Sequence, residues 1–272
     1  MDYFQISFPL ADQQLKEILI AYLTEAGFES FQETEESFLA FVPRESYDQK
    51  QLKNILQRHG ITDFQENLIA EKNWNKLWEQ NFQPVVIADK CFVRAPFHKA
   101  DKKYPFELII EPQMSFGTAH HDTTALMLDL MLNMNFEGSK VLDMGSGTGI
   151  LAIMASKKAA SEVWAIDNNV WAYTNSMHNI QLNKADGIHV VEGEKDSIPN
   201  VAFDYILANI NRNVLLEDIP EYSNHLNSGG KILLSGFLEP DLPEIMQKCT
   251  EQGLQMKETL VANEWVAAVF EK

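Results

Sequence analysis

An α/β fold is predicted for most of this 272-residue chain: a doubly wound sheet ending in an antiparallel hairpin, behind a small N-terminal α+β domain. Three observations carry that prediction. From Lys140 onward apolar strand-like runs alternate with helical ones, as parallel strands joined by crossovers require. Val141-Leu142-Asp143-Met144-Gly145-Ser146-Gly147-Thr148-Gly149-Ile150 reads as a strand, a tight glycine turn and a helix N-terminus. Near the end, Leu254 to Val261 and Trp265 to Phe270 are separated only by Ala262-Asn263-Glu264, too short for a crossover and right for a hairpin.

Taken in order, the first elements repeat a strand-helix-strand theme. Phe4, Ile6 and Phe8 alternate as in a half-buried strand. Leu15, Ile18, Leu19, Tyr22 and Leu23 recur at helical spacing and stop at Gly27. Phe28 to Glu33 and Phe38 to Val42 read as strands joined by the acidic turn Thr34-Glu35-Glu36-Ser37. Leu52, Ile55 and Leu56 mark a second helix closed by Gly60, and Ile61 to Leu68 a last strand. The order βαββαβ is that of a ferredoxin-like split fold. It carries no phosphate loop, metal cluster or catalytic constellation, so recognition is its expected role. Residues 70–81 follow as a linker helix with Trp74 and Trp78 on one face. The expected division is therefore 1–69 for recognition, 70–81 as linker and 82–272 as the catalytic domain.

The second domain opens with strand-like pieces at Val85-Val86-Ile87, Cys91-Phe92-Val93 and Phe106 to Ile110, with the polar loop His98 to Lys103 between the last two. The main sheet is expected from Val141-Leu142, Glu162 to Ile166, Ile188 to Val191, Phe203 to Ala208 and Lys231 to Ser235. Hydrophobic residues make up 45% of the chain, enough for real cores, and no apolar run approaches the ~20 residues of a membrane span. The start lacks the pattern of a signal peptide, and Cys91 and Cys249 lie far apart, so a cytosolic protein with two reduced thiols is expected. A net charge of −17 disfavours direct nucleic-acid binding and suits a basic partner, though acidic surfaces also serve solubility alone.

Chemistry is legible in three places. The dinucleotide fingerprint G-x-G-x-x-G would need glycine at position 150, which is Ile150 here. Asp167 closes the next apolar run about 20 residues after the glycines, where an acid suits a ribose diol. Asn209 ends the fourth strand, at the sheet edge where open α/β folds bind ligands. It can accept a hydrogen bond from an amine and aim its lone pair, or simply cap a following helix expected over Asn213 to Leu226. His120-His121-Asp122 invites a metal reading, but neighbouring side chains of an extended loop diverge and no Cys or Glu cluster accompanies them, so no metal is expected.

Asp143, Gly145, Gly147, Gly149 and Asp167 together resemble motifs I and II of class I S-adenosylmethionine-dependent methyltransferases. Two further segments narrow the resemblance. Phe116-Gly117-Thr118-Ala119-His120-His121-Asp122-Thr123-Thr124 and Ala208-Asn209-Ile210 are similar to the Phe-Gly-Thr-Gly-x-His-x-Thr-Thr and Ala-Asn-Ile patterns of the PrmA family, which methylates large-subunit ribosomal protein eleven. The resemblance spans the whole chain. It implies S-adenosyl-L-methionine as cofactor, contacts to it from Thr124, Gly145, Gly147, Asp167 and Asn209, Asn209 as the catalytic residue, and α-amine and lysine targets on a basic ribosomal protein, free or in the ribosome. It also implies a front domain that grips substrate and a His121 that orders the loop over the cofactor. One departure is Ala119, where the family has glycine; at positive φ an alanine costs about a kcal/mol. Two other readings stand beside this one. A release-factor-type glutamine methyltransferase would carry Asn-Pro-Pro-Tyr in place of Asn209-Ile210-Asn211-Arg212. A non-catalytic cofactor-binding module for ribosome assembly would share the same motifs.

Overall fold

Alternation of apolar side chains decides which way each strand faces, and in both halves of the chain it sorts the core as expected. A computed structural model describes residues 2–9, 13–34, 37–69, 82–111 and 116–272. The chain divides into two compact units, Met1–Asn81 and Phe82–Lys272.

In the first unit the order is β1 (Tyr3–Phe8), α1 (Gln13–Glu25), β2 (Ser30–Glu33), β3 (Phe38–Pro43), α2 (Gln49–Arg58) and β4 (Gln65–Ile69). The strands pair antiparallel in the order β2-β3-β1-β4. Ile6 and Phe8 are buried, with Phe4 packed against the same cluster, so the predicted alternation places one face of β1 on the helices. Asp48 caps α2 by accepting from the backbone of Lys50 and Gln51. Part of the acidic turn, at Glu35 and Glu36, and the helix expected over 70–81 with Trp74 and Trp78 lie outside the described residues.

The second unit begins with a small sheet, β5 (Val85–Ile87), β6 (Cys91–Arg94) and β7 (Phe106–Ile109). Then come α3 (Asp122–Leu132), β8 (Lys140–Met144), α4 (Ile150–Lys157), β9 (Glu162–Asp167), α5 (Val170–Asn183), β10 (Ile188–Glu192), β11 (Phe203–Asn209), α6 (Arg212–His225), β12 (Leu226–Leu238), α7 (Leu242–Glu251), β13 (Gln255–Ala262) and β14 (Trp265–Glu271). The large sheet runs β10-β9-β8-β11-β12-β14-β13, parallel from β10 to β12 and antiparallel at β14 and β13. Successive residues face opposite sides: Val141, Leu207 and Leu233 join the core under α3 and α4, while Leu142, Ile206 and Ile232 join the one under α6 and α7. Chain order reverses between β8 and β11, so the carboxyl ends of these two strands open a crevice. Among the described residues no helix is long and apolar enough to cross a membrane.

Two local differences from the sequence reading have physical causes. β12 runs past both ends of Lys231 to Ser235: it begins at Leu226, which pairs with Phe203 of β11, and it continues along β14 beyond a bulge, with Gly236 the extra residue between Ser235 and Phe237. The hairpin loop is two residues rather than three, because Ala262 pairs with Trp265. Asn263 and Glu264 both adopt positive φ (46° and 70°), the type I′ geometry that matches strand twist.

Glu264 and Ala119 are both non-glycine residues in the left-handed region, at φ 70° and 65°, but their surroundings differ. The Glu264 side chain is exposed, whereas the Ala119 methyl is buried in the core. Glu264→Gly should therefore raise stability by about 0.5–1 kcal/mol, or roughly 1–4 °C in melting temperature. Ala119→Gly should give no gain, since burial of one methyl contributes about 0.8 kcal/mol and offsets the strain. Thermal unfolding of the two variants decides this; an equal rise in both would refute the offset.

Candidate active site

The glycine turn after β8 is shaped by protein contacts on both sides. Gly145, Gly147 and Gly149 have φ of 67°, 55° and 78°. A Cβ on Gly145 would lie 2.2 Å from Cγ2 of Ile210, and one on Gly147 would lie 2.4 Å from the carbonyl oxygen of Phe116. The glycines thus let two neighbouring segments close onto the turn. The backbone N–H groups of Gly145 and Ser146 both donate to the Ile166 carbonyl at 2.8 and 3.1 Å, locking the turn to the end of β9.

The two acids divide the work. Asp143 is 1% exposed, is absent from the cavity wall, and accepts from Ala152 N–H at 3.0 Å. It ties β8 to the first turn of α4, where the helix dipole favours negative charge. Burial pushes its carboxyl up to about 7; the Ala152 N–H opposes the shift and the nearby Asp167 adds to it. Asp167 faces the cavity, with Oδ2 accepting from Gly147 N–H and Oδ1 from Asn169 N–H, both at 2.9 Å. Of the pair, only Asp167 is available to a ligand.

Residues 116–124 fold against the turn. Phe116 and Gly117 offer their carbonyls to Thr148, which donates through N–H at 2.9 Å and Oγ1 at 2.5 Å. His121 caps α3 by accepting from Thr123 N–H at 3.3 Å, and its ring stands between those of Phe116 and Trp265, with centroids 5.0 and 4.9 Å away. Asp122 accepts from the Asn263 side chain at 3.1 Å, so the hairpin turn buttresses the same helix end.

Asn209 completes β11. Its Nδ2 donates to Thr124 Oγ1 at 3.3 Å, while its Oδ1 is buried without a hydrogen-bond partner. The capping role weighed for it belongs to Asn211, whose side chain accepts from Val214 N–H at the start of α6. Thr124 is fully buried and outside the cavity wall, where it backs Asn209.

Together these segments enclose a cavity of about 560 Å³ whose wall includes Phe116, His121, Gly145, Gly147, Asp167, Asn209 and Trp265. A second, of about 290 Å³, shares Gly145, Asp167 and Ile210 with it and extends past Glu194, Lys195 and Tyr222. Lys195 pairs with Glu217 and, at 2.9 Å, with Asp218; these contacts hold its ammonium above the usual lysine range. Sequence reasoning brought Gly145, Gly147, Asp167 and Asn209 to one cavity and missed Ile210, Trp265 and the Lys195 cluster. The rule that ligands sit beyond the carboxyl ends of strands, applied to β10, would have found Glu194 and Lys195. Nothing in the sequence marked Trp265, which reaches the site only because β14 runs antiparallel.

The match to known proteins is extensive. A family model described as ribosomal protein L11 methyltransferase (PrmA) covers residues 10–272. A ribosomal protein L11 methyltransferase of Porphyromonas gingivalis is 44% identical over 261 residues, covering 93% of this chain and 90% of that protein. One from Phocaeicola vulgatus is 39% identical over 278 residues, covering 99% of each. Among solved structures, a ribosomal protein L11 methylase from Lactobacillus delbrueckii subsp. bulgaricus has a TM-score of 0.65 and 27% identity, covering 70% of this chain and 99% of its own. A Pyrococcus furiosus methyltransferase, with a TM-score of 0.52 and 22% identity over 61% of this chain and 89% of its own, shares the fold.

Proposed function

The chain belongs to the ribosomal protein L11 methyltransferase (PrmA) family, and from that premise we propose that it methylates amino groups of ribosomal protein L11, the N-terminal α-amine and lysine ε-amines. It is an S-adenosylmethionine-dependent protein methyltransferase of the class I fold. The observation that carries the amine reading is the unpartnered Oδ1 of Asn209. A buried carbonyl left unpaired costs about 1–3 kcal/mol, and an amine entering the cavity supplies the missing donor. The Asn-Ile-Asn-Arg segment argues against the glutamine-specific alternative, since Asn211 serves as a helix cap and Arg212 is engaged by Asp241 and Glu244.

The cavity's chemistry fits the cofactor. Asp167 at the end of β9 is suited to the ribose diol, Gly145 and Gly147 border the space beside it, and Thr124 acts through Asn209. S-adenosylmethionine supplies a methyl group already activated by its positive sulfur, so the protein's task is alignment and exclusion of water. Asn209 would accept one N–H of the incoming amine and hold its lone pair toward the methyl. The amine must arrive neutral, from an ordinary pKa of about 10.4 for lysine or nearly 8 for an α-amine. A partly dry cavity lowers that value, while Asp167 raises it. Deprotonation by water before docking needs no further base.

Residues 1–69 would grip the substrate, with 70–81 linking them to the methyltransferase domain at 82–272. The boundary between compact units at Asn81 and Phe82 supports that division, as does a βαββαβ order without chemistry of its own. The net charge of −17 suits a basic ribosomal protein, free or in the ribosome, without direct nucleic-acid contact, and the cytoplasm is where such a substrate would be met. The test is transfer of labelled methyl from the cofactor to purified ribosomal protein L11. The full chain should label it; a chain starting at Phe82 should bind cofactor normally yet label it at least about tenfold more slowly. Cofactor binding without any transfer by the full chain would favour an assembly module, and transfer at the parent rate by the shortened chain would overturn the recognition role.

A further inference from the structure

The helix α5 carries asparagines at 175, 179 and 183, spaced four apart and so on one face, and all three are buried. Buried amides must be paired, and these pair with main chain at the free edge of β7, which no strand among the described residues covers. Asn183 accepts from Ile109 N–H at 2.9 Å and donates to the Ile109 carbonyl at 2.6 Å. Asn179 accepts from Glu111 N–H at 2.9 Å, and Asn175 donates to the Glu111 carbonyl at 3.3 Å. The helix thus presents side-chain amides to alternate residues at the end of β7, as a neighbouring strand would present its backbone.

Of the three, Asn179 alone makes a hydrogen bond to the glycine turn. Its Nδ2 donates to the Thr148 carbonyl at 3.0 Å. Ala152 N–H, four residues on from Thr148, is turned to Asp143 instead. Thr148 is fully buried and is held at all three polar atoms: its N–H and Oγ1 grip Phe116 and Gly117, and its carbonyl takes Asn179. It lies between Gly147 and Gly149, whose positive φ values give the turn its shape, and Ser176 of the same helix fills the space where a Gly149 Cβ would stand, 3.1 Å away. Gly147 and Phe116 line the cavity. We infer that Asn179 is a positioning residue for cofactor binding, fixing the glycine turn and the Phe116 segment through the Thr148 carbonyl, while Asn183 on the same face serves stability alone.

This inference rests on the cofactor-binding reading above, and the same experiment separates the two. Calorimetric titration of S-adenosylmethionine into the intact protein comes first; absence of binding by the parent would defeat that reading and this one with it, whereas binding by the parent with no selective loss in the Asn179 variants would defeat this one alone. Asn183→Ala should lower the melting temperature and leave cofactor affinity within about twofold of the parent, whereas Asn179→Ala should weaken it by about tenfold, the order of one lost hydrogen bond. Asn179→Asp gives a sharper readout. Near pH ~8 its carboxylate faces the Thr148 carbonyl without a donor; on protonation its hydroxyl donates there again, at a pH raised by burial. The ratio of variant to parent dissociation constants should therefore fall toward one as pH is lowered. The charged groups around this face, His178 and Glu111 paired at 2.8 Å together with Asp143, Asp167 and Lys157, are the same in both proteins, so the ratio reports the change made at position 179. If Asn179→Asp does not fold, Asn179→Ala, which buries no charge, is compared with Asn183→Ala at a single pH. Parent-like affinity in a folded Asn179 variant, equal weakening by Asn183→Ala, or a ratio independent of pH would each overturn the assignment.

Discussion

Gly145→Arg should eliminate measurable S-adenosylmethionine binding while leaving a folded, less stable protein. A Cβ at this position would lie 2.2 Å from Ile210 Cγ2, and Ile210 cannot retreat as a unit. Its N–H donates to the Ser235 carbonyl, and its own carbonyl occupies the space where a Gly236 Cβ would stand, 2.1 Å away. The Ile210 side chain must rotate into the cavities it now borders, and the arginine, longer still, has the same space to enter. The backbone adds strain: φ is 67°, where a side chain costs about 1–2 kcal/mol. For a protein of this size each kcal/mol is roughly 2–4 °C of melting temperature, so a fall of several degrees is expected without loss of the fold. Gly145→Ala separates strain from obstruction, because it moves Ile210 but adds one carbon only. Its affinity should fall between parent and arginine variant. Calorimetry on the folded arginine variant is the check, and near-normal affinity would show that the turn does not border the cofactor.

The surroundings of Gly145 also mark where local sequence stops being informative. The glycine turn, Asp167 and the hairpin were legible because each depends on local chemistry: positive φ at glycine, an acid at a strand's carboxyl end, a loop too short for a crossover. Their immediate neighbours were not. Ile210 belongs to the turn after β11, and only the pairing of β11 beside β8 brings it onto Gly145, 65 positions earlier in the chain. Asp143 stands in the same motif as the glycines, yet β8 lies inside the sheet and is buried on both faces, and α4 claims its carboxylate. Asn209 and Asn211 are equally good helix caps by residue type; where β11 ends decides that Asn211 starts the helix and Asn209 is left at the cavity. The asparagine face of α5 has a visible four-residue period, but polar periodicity on a helix ordinarily means solvent, and only β7 lying alongside makes it interior. Long-range pairing, absent from any single window of sequence, accounts for each of these.

Asn209→Ala should slow methyl transfer by roughly ten- to a hundredfold at saturating cofactor, corresponding to about 1.5–3 kcal/mol of lost alignment. Among the described residues of β11, its Oδ1 is the buried side-chain polar atom without a partner, and alanine removes it. Stability should not fall, since the hydrogen bond that alanine gives up, to Thr124 Oγ1, is a long one at 3.3 Å and the unpaired carbonyl is removed with it. Asn209→Asp tests the role from the other side. It keeps an acceptor at the same point but adds a negative charge beside the amine, which raises the amine's pKa and favours its unreactive protonated form. The aspartate variant should therefore regain activity as pH rises, with its profile displaced upward from that of the parent, whereas the alanine variant should keep the parent's profile at a lower rate. Single-turnover measurements at saturating cofactor over a range of pH separate these effects from any loss of cofactor affinity. A parent-like rate for Asn209→Ala under saturation would confine Asn209 to holding cofactor or Thr124, and the amine's acceptor would then lie elsewhere on the cavity wall.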